Sequence, residues 1–172
     1  MTFFIVSFLC SLFLTILVIV SSARHGVLSA DHDLSGPQKF HSRPVPRIGG
    51  MGVMAAIIVG AGIAEWHKSA LATPLWLLTL CSLPAFVTGI AEDLTKKIAP
   101  RWRLLATALS ASLAAWCFGG LITRTHIPGL DLLLPWTPFA VALTLFTVAG
   151  VANAINIIDG FNGLASMCVF MM

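Results

Sequence analysis

Residues 71–90 read LATPLWLLTLCSLPAFVTGI, twenty positions without a charged side chain, and this run decides the fold class. A helix rises about 1.5 Å per residue and the hydrocarbon core of a bilayer is about 30 Å thick, so a run of this length spans it. Working outward, similar apolar stretches lie approximately at Thr2–Val20, Gly50–Ala64, Leu104–Ile122 and Trp136–Ile155, and a further one begins at Leu164. Short polar loops separate them. The composition agrees, with 58% hydrophobic and 10% charged residues and a mean hydropathy of +0.93, whereas a soluble domain is about one quarter charged. No water-soluble fold hides that much apolar surface. The sequence predicts an all-α, polytopic transmembrane helical bundle of about five complete helices plus the start of a sixth, forming a single membrane domain over residues 1–172.

Local features refine this picture. No basic residue precedes the first stretch, which is also longer than the apolar region of a cleaved signal peptide, so it reads as a retained helix. The second stretch carries Gly49, Gly50, Gly52, Gly60 and Gly62, and small residues let helix backbones approach. Pro74 and Pro84 are expected to start and bend the third helix. Cys10, Cys81, Cys117 and Cys168 each sit inside an apolar stretch, which indicates packing residues and neither a disulfide framework nor a zinc site. From Leu164 to Met172 the last stretch reaches only about halfway across the hydrocarbon core. The chain is therefore expected to be the N-terminal half of a longer protein.

Topology follows from Lys and Arg counted by loop, because short cytoplasmic loops carry the excess positive charge. Arg24, Lys39, Arg43 and Arg47 lie in the first loop, and Lys96, Lys97, Arg101 and Arg103 lie in or beside the third, whereas the second and fourth hold Lys68 and Arg124. The first, third and fifth loops are thus expected in the cytoplasm, with the N-terminus outside. Trp66, Trp76, Trp102 and Trp136 fall near predicted helix ends, where indoles favour the headgroup region. His25, His32, His67 and His126 are scattered singly and receive no role. Glu65 and Asp131 read as solvated loop residues.

Three polar clusters occupy the loops assigned to the cytoplasm. The first, KFHSRPVPRIGG at positions 39–50, is a basic loop stiffened by Pro44 and Pro46 that gathers Lys39, His41, Arg43 and Arg47. Arg offers phosphate a planar fork and Lys a point charge; taken alone, the segment reads first as an anchor on anionic headgroups. The second is Glu92-Asp93, directly after an apolar run. Mg²⁺ is usually bound by one or two carboxylates with substrate phosphates and waters. The alternative is an exposed helical turn in which Glu92 pairs with Lys96 and Asp93 with Lys97 at i,i+4 spacing. The third, NAINIIDGFNG at 153–163, carries Asn153, Asn156, Asp159 and Asn162 with Gly160 and Gly163. Asn153 and Asn156 share a helix face, and polar residues at membrane depth usually face a bundle interior or an aqueous cavity. A capped turn is the simpler alternative, although this many amide and acid groups with two glycines exceeds what a cap requires.

Together the clusters resemble, in order as well as content, the polyprenyl-phosphate N-acetylhexosamine-1-phosphate transferases of glycosyltransferase family 4, glycan-initiating branch. Asp33, Lys39, His41, Pro44, Pro46, Arg47, Gly49 and Gly50 resemble the family's first-loop pattern. Glu92 and Asp93, followed by Leu94-Thr95, resemble its acidic pair, and Asn153, Asn156, Asp159, Gly160, Gly163, Leu164 and Ala165 resemble its Asn-x-x-Asn-x-x-Asp-Gly signature. Departures are Ser35, Gly36 and Gln38 in the first loop, Glu92 for the first Asp of the pair, and Asn162 for the second Asp of the signature. Family members usually carry ten or eleven helices, with a further aspartate and a histidine-bearing loop in the second half.

The resemblance implies transfer of an N-acetylhexosamine-1-phosphate from a UDP-N-acetylhexosamine to undecaprenyl phosphate, releasing UMP and initiating O-antigen or related cell-envelope glycan synthesis. It implies Mg²⁺, with Mn²⁺ as a substitute, on Asp93 with Glu92, and a catalytic set of Glu92, Asp93 and Asp159. Lys39, His41, Arg43, Arg47, Asn153, Asn156 and Asn162 are the implied substrate contacts. It further implies a bacterial inner-membrane location among membrane lipid and a homodimer; no nucleic-acid partner is expected. Two alternatives remain open at this point: a catalytically inactive portion or assembly module of the same fold, and, more distantly, a transporter fragment whose polar groups line a path.

Overall fold

The computed structural model describes residues 2–29, 49–95, 98–158 and 164–171, with side chains from position 4 to 21 in the first segment. Among these residues the chain is helical, with α1 at Thr2–Ser29, α2 at Gly50–Trp66, α3 at Ala72–Thr95, α4 at Pro100–Phe118, α5 at Thr137–Ile158 and α6 at Leu164–Met171. Each helix packs on the next in sequence, and α1 also meets α3. The result is an all-α membrane fold of adjacent antiparallel helices.

Three helices are long and apolar enough to cross a membrane, over Phe4–Ser21, Ala72–Thr95 and Thr137–Ile158, while α2 is apolar but shorter at 17 residues. Their outer faces are strongly hydrophobic: Phe8 and Phe13 are 65% and 62% exposed and Phe146 is 77% exposed. Such exposure is tolerable in lipid and costly in water. The multi-pass membrane character expected from composition is therefore present in the fold.

Apart from Met54 and Leu134, the buried core is made of small residues. Ala61 and Ala64 of α2 are completely buried, and Ala111, Ala140, Ala149, Thr79 and Thr144 are buried where α3, α4 and α5 meet their neighbours. With lipid tails as apolar as leucine, helix association depends on close packing, which small side chains permit. Gly52 and Gly60 of α2 fill this role against α1: a Cβ on Gly60 would lie 2.7 Å from the Ser7 Oγ, and one on Gly52 would lie 3.0 Å from the Thr15 Oγ1. Gly49, Gly50 and Gly62 face open space, so only part of the glycine-rich stretch serves packing. Among the cysteines, Cys81 is buried, Cys10 and Cys168 are half-buried, and Cys117 is exposed yet lies against Cys81.

Helix boundaries depart from the apolar stretches for physical reasons. The fourth stretch was expected over Leu104–Ile122, but α4 starts a turn earlier, with Pro100 in its first turn, and stops at Phe118 because Gly119 takes the left-handed conformation (φ +63°) that ends helices. Pro84 lies inside α3, and the neighbouring Ala85 amide donates to the Ser110 Oγ of α4 at 3.0 Å. A serine from the next helix thus satisfies an amide at the proline site.

The loop after α4 is also ordered by side chains. The Ile122 amide donates to the buried Thr144 Oγ1 of α5 at 3.0 Å. Asp131 accepts from the Thr125 amide (2.7 Å), the Thr125 hydroxyl (2.6 Å) and the His126 amide (3.0 Å). Glu65, in the last turn of α2, accepts from the Trp76 indole N–H at 2.9 Å. Both acids were expected to be solvated loop residues; Glu65 is exposed but belongs to α2, Asp131 is half-buried in its loop, and each also fixes a connection at the end of the bundle away from the polar clusters.

Candidate functional site

The opposite end gathers the polar groups. Glu92 and Asp93 stand in the last turn of α3, Arg103 in the first turn of α4, and Asn153 near the end of α5. Helix dipoles disfavour acids at a C-terminus and a cation at an N-terminus. Each charged group therefore sits at the helix end that its own dipole opposes, and Glu92 and Arg103 compensate one another across helices.

Arg103 forms the junction. Its Nη1 donates to both oxygens of Glu92, at 3.1 and 3.3 Å, and its Nη2 donates to the Asn153 Oδ1 at 3.0 Å. The ion pair is only partly exposed, with about a fifth of each side chain accessible. The Arg103 Nε is buried and has no hydrogen-bond partner among the described residues. One guanidinium thus ties together the ends of three helices, through partners 11 and 50 positions away.

Asp93 is half-buried beside Glu92. Consecutive helical residues point about 100° apart, so its carboxylate leaves α3 in a different direction. Asn156 is exposed one turn beyond Asn153. Lys39, His41, Arg43, Arg47, Asp159 and Asn162 lie outside the described residues, as do Lys96 and Lys97. Of the sequence candidates, Glu92 and Asn153 are brought together.

Sequence reasoning weighed Arg103 as a topology charge and as part of the 101–105 stretch leading into the next helix, and gave it no role in the site. A cation one turn into an apolar helix, at the end its dipole disfavours, was the available signal that an anion must face it. Two unit charges 4 Å apart interact by about 4 kcal/mol at an effective dielectric of 20. A divalent cation on the oxygens of Glu92 would therefore meet substantial repulsion from the guanidinium already there. No group of three or more His, Cys, Asp or Glu suited to a metal occurs among the described residues. Mg²⁺ does not require one, since one or two carboxylates with substrate phosphates and waters suffice. The acidic pair is compatible with Mg²⁺ on that basis.

Below this cluster an apolar groove of about 620 Å³ runs between α3 and α4, lined by Leu83, Val87, Thr88, Trp102, Leu105 and Leu109 among others. Trp102, the neighbour of Arg103, is among its lining residues.

Comparison with known proteins covers these helices. The pattern of glycosyl transferase family 4 matches residues 75–172, a range that includes Glu92, Asp93, Arg103, Asn153 and Asn156. A phospho-N-acetylmuramoyl-pentapeptide-transferase of Synechococcus sp. (strain WH7803) is 34% identical over 147 residues, covering 77% of this chain and 39% of the relative. A protein of the same name from Chlorobium luteolum (strain DSM 273 / BCRC 81028 / 2530) is 28% identical over 139 residues, covering 72% of this chain and 37% of the relative. The chain thus spans about two fifths of the length of the curated relatives it matches. No solved structure matches significantly.

Proposed function

Because this chain belongs to glycosyl transferase family 4, we propose that it supplies part of the active site of an enzyme that moves an N-acetylhexosamine-1-phosphate from a UDP-sugar to a polyprenyl phosphate. In the reaction, an oxygen of the lipid phosphate bonds to the β-phosphorus of the donor, the phosphoanhydride bond breaks, and UMP leaves. The observation that carries the proposal is the convergence of Glu92, Arg103 and Asn153 from three helices at one end of a membrane fold.

The chemistry asks for alignment and charge compensation more than covalent help, because two anions must meet at phosphorus. A phosphate monoester with a second pKa of about 6 is mostly ionised near neutral pH, so a dedicated base is unnecessary. Mg²⁺ would be held by Asp93 and its neighbour Glu92, and when bound it neutralises diphosphate oxygens. Asn153 and Asn156 share a helix face and orient the nucleotide. Lys39, His41, Arg43 and Arg47 offset the remaining phosphate charge, and Asp159 and Asn162 complete the contacts from the fifth loop. The apolar α3–α4 groove supports the lipid half of the reading, since a prenyl tail must stay in hydrocarbon while its phosphate reaches the polar end. On this reading the polar end faces the cytoplasm of a bacterial inner membrane, where the UDP-sugar is, and the product initiates O-antigen or a related envelope glycan.

A second reading, favoured by the names of the two relatives, takes phospho-N-acetylmuramoyl-pentapeptide as the transferred group. One assay separates them: Mg²⁺-dependent UMP release from undecaprenyl phosphate and a panel of UDP-N-acetylhexosamines and UDP-N-acetylmuramoyl-pentapeptide, with Asp93→Asn as control. Release lost in the control, with the donor that gives it, establishes the reaction and the branch. Silence with every donor would identify these residues as an inactive portion or assembly module.

A further inference from the structure

The thiols of Cys81 and Cys117 meet between α3 and α4. The Ala85 amide reaches the Ser110 Oγ at 3.0 Å, which sets the register of these two antiparallel helices. From that bond Cys81 lies one turn toward the start of α3, and Cys117 lies two turns toward the end of α4. At about 1.5 Å per residue, Cys117 stands about 4.5 Å farther along the bundle than Cys81. Every helical Cα–Cβ bond tilts toward its own N-terminus, so in antiparallel helices the two side chains lean toward each other and close that offset. Seven-residue spacing keeps Cys117 on the face of α4 that carries Ser110. The two side chains are accordingly within hydrogen-bonding reach, and both thiols are free.

Their surroundings differ. Cys81 is buried, whereas Cys117 is exposed in the last turn of α4, two residues before the left-handed Gly119 that ends the helix. A disulfide requires Cα atoms within about 7 Å, and a terminal turn can make that adjustment. Exposure makes a thiol open to exchange, while burial in apolar surroundings keeps one inert. On the topology that the positive-inside bias predicts, this end lies outside, where disulfides persist.

We propose that Cys81 and Cys117 form a thiol–disulfide exchange site for small disulfides of the glutathione class, closing to a bridge between α3 and α4. The Cys117 sulfur attacks one sulfur of the small disulfide; that S–S bond breaks, one thiol leaves with the Cys117 proton, and a mixed disulfide remains. The Cys81 sulfur then attacks the Cys117 sulfur, the mixed bond breaks, and the second thiol leaves with the Cys81 proton. The chain loses two protons and two electrons, and the small disulfide is reduced to two thiols. The bridge fastens α3 to α4 next to Leu80 and one turn from Leu113, both of which line the apolar groove. It is independent of the reaction assigned to the acidic end.

The test exposes the reduced chain as encoded, purified in detergent, to oxidised glutathione, quenches with a maleimide and reads intact mass and peptide map. In the unsubstituted chain two of the four thiols should be lost together, and the linked peptides should hold Cys81 and Cys117. Cys81→Ala should stop at one glutathione on Cys117. In Cys117→Ala the buried Cys81 should react roughly tenfold or more slowly than Cys117 does in Cys81→Ala, because access limits exchange. A stable glutathione adduct on Cys117 of the unsubstituted chain, with Cys81 still free, overturns the proposal. So does an unreactive Cys117, or its linkage to Cys10, Cys168 or a second copy of the chain. Should either variant fail to fold, the linked peptides of the unsubstituted chain decide the matter alone.

Discussion

Asn153 gives its side-chain oxygen to Arg103 at 3.0 Å, and the arginine already carries a buried Nε without a partner among the described residues. The local polar accounting is therefore tight. A hydrogen bond to a charged group contributes about 1.5–3 kcal/mol, and leaving its partner buried and unsatisfied costs on the same scale. Asn153→Leu, similar in size but without an acceptor, should lower stability by about that amount, seen as a reduced thermal unfolding midpoint in detergent. No change would mean that water replaces the amide freely. The sequence already singled out Asn153, and its i,i+3 spacing with Asn156 placed both on one face. Its partner was not legible, because a contact across 50 positions leaves no periodic trace. For Glu92, sequence spacing offered Lys96 as a partner; the structure shows an ion pair with Arg103 from the next helix, a choice that depends on tertiary approach.

At the scale of elements, small residues set the α1–α2 contact and side-chain hydrogen bonds set the loop between α4 and α5. Gly60→Val would drive a branched side chain into the Ser7 hydroxyl, whereas Gly62 has nothing within 4 Å. Overpacking costs about 1–3 kcal/mol, while Gly→Ala in a helix gains up to about 1 kcal/mol. Thermal unfolding should fall for Gly60→Val and hold or rise for Gly62→Ala; equal losses would show that α1 and α2 do not meet at Gly60. Composition revealed that this stretch packs closely, but which glycines do so depends on helix rotation. In the loop, hydrogen bonds from the Thr125 hydroxyl and amide, then the His126 amide, hold the Asp131 carboxyl below its usual range. A depressed folded pKa contributes stability above the unfolded value of about 3.9 and loses it as pH falls through the lower folded value. Protection of the Thr125 and His126 amides against hydrogen exchange, normalised for intrinsic rates, should therefore persist near pH 5 and disappear below the folded pKa. Protection that fades already near pH 5 would contradict the depressed value. None of this was visible in sequence, where Asp131 is one acid in a polar loop, because its bonds go to backbone amides.

The whole molecule alternates its ends. The Glu65–Trp76 bond joins the end of α2 to the start of α3, and the Glu92–Arg103–Asn153 junction joins the end of α3 to the start of α4 and the end of α5. The ends of α3 and α5 and the start of α4 therefore share one face of the bundle. Hydropathy made the number of crossings legible in the sequence, whereas helix rotation depends on contacts between helices. The positive-inside bias predicts that the face bearing Glu92 and Arg103 is the cytoplasmic one. In a chain freed of its four cysteines, Leu132→Cys, on a side chain 81% exposed beyond α4, should react with a membrane-impermeant maleimide on intact cells. Thr95→Cys, exposed at the end of α3, should react only after permeabilisation. The reversed pattern would put Glu92, Asp93 and Arg103 on the side without UDP-sugars. No donor could then reach them, and the transferase proposal would fail at the scale of the membrane whatever the chemistry of its residues.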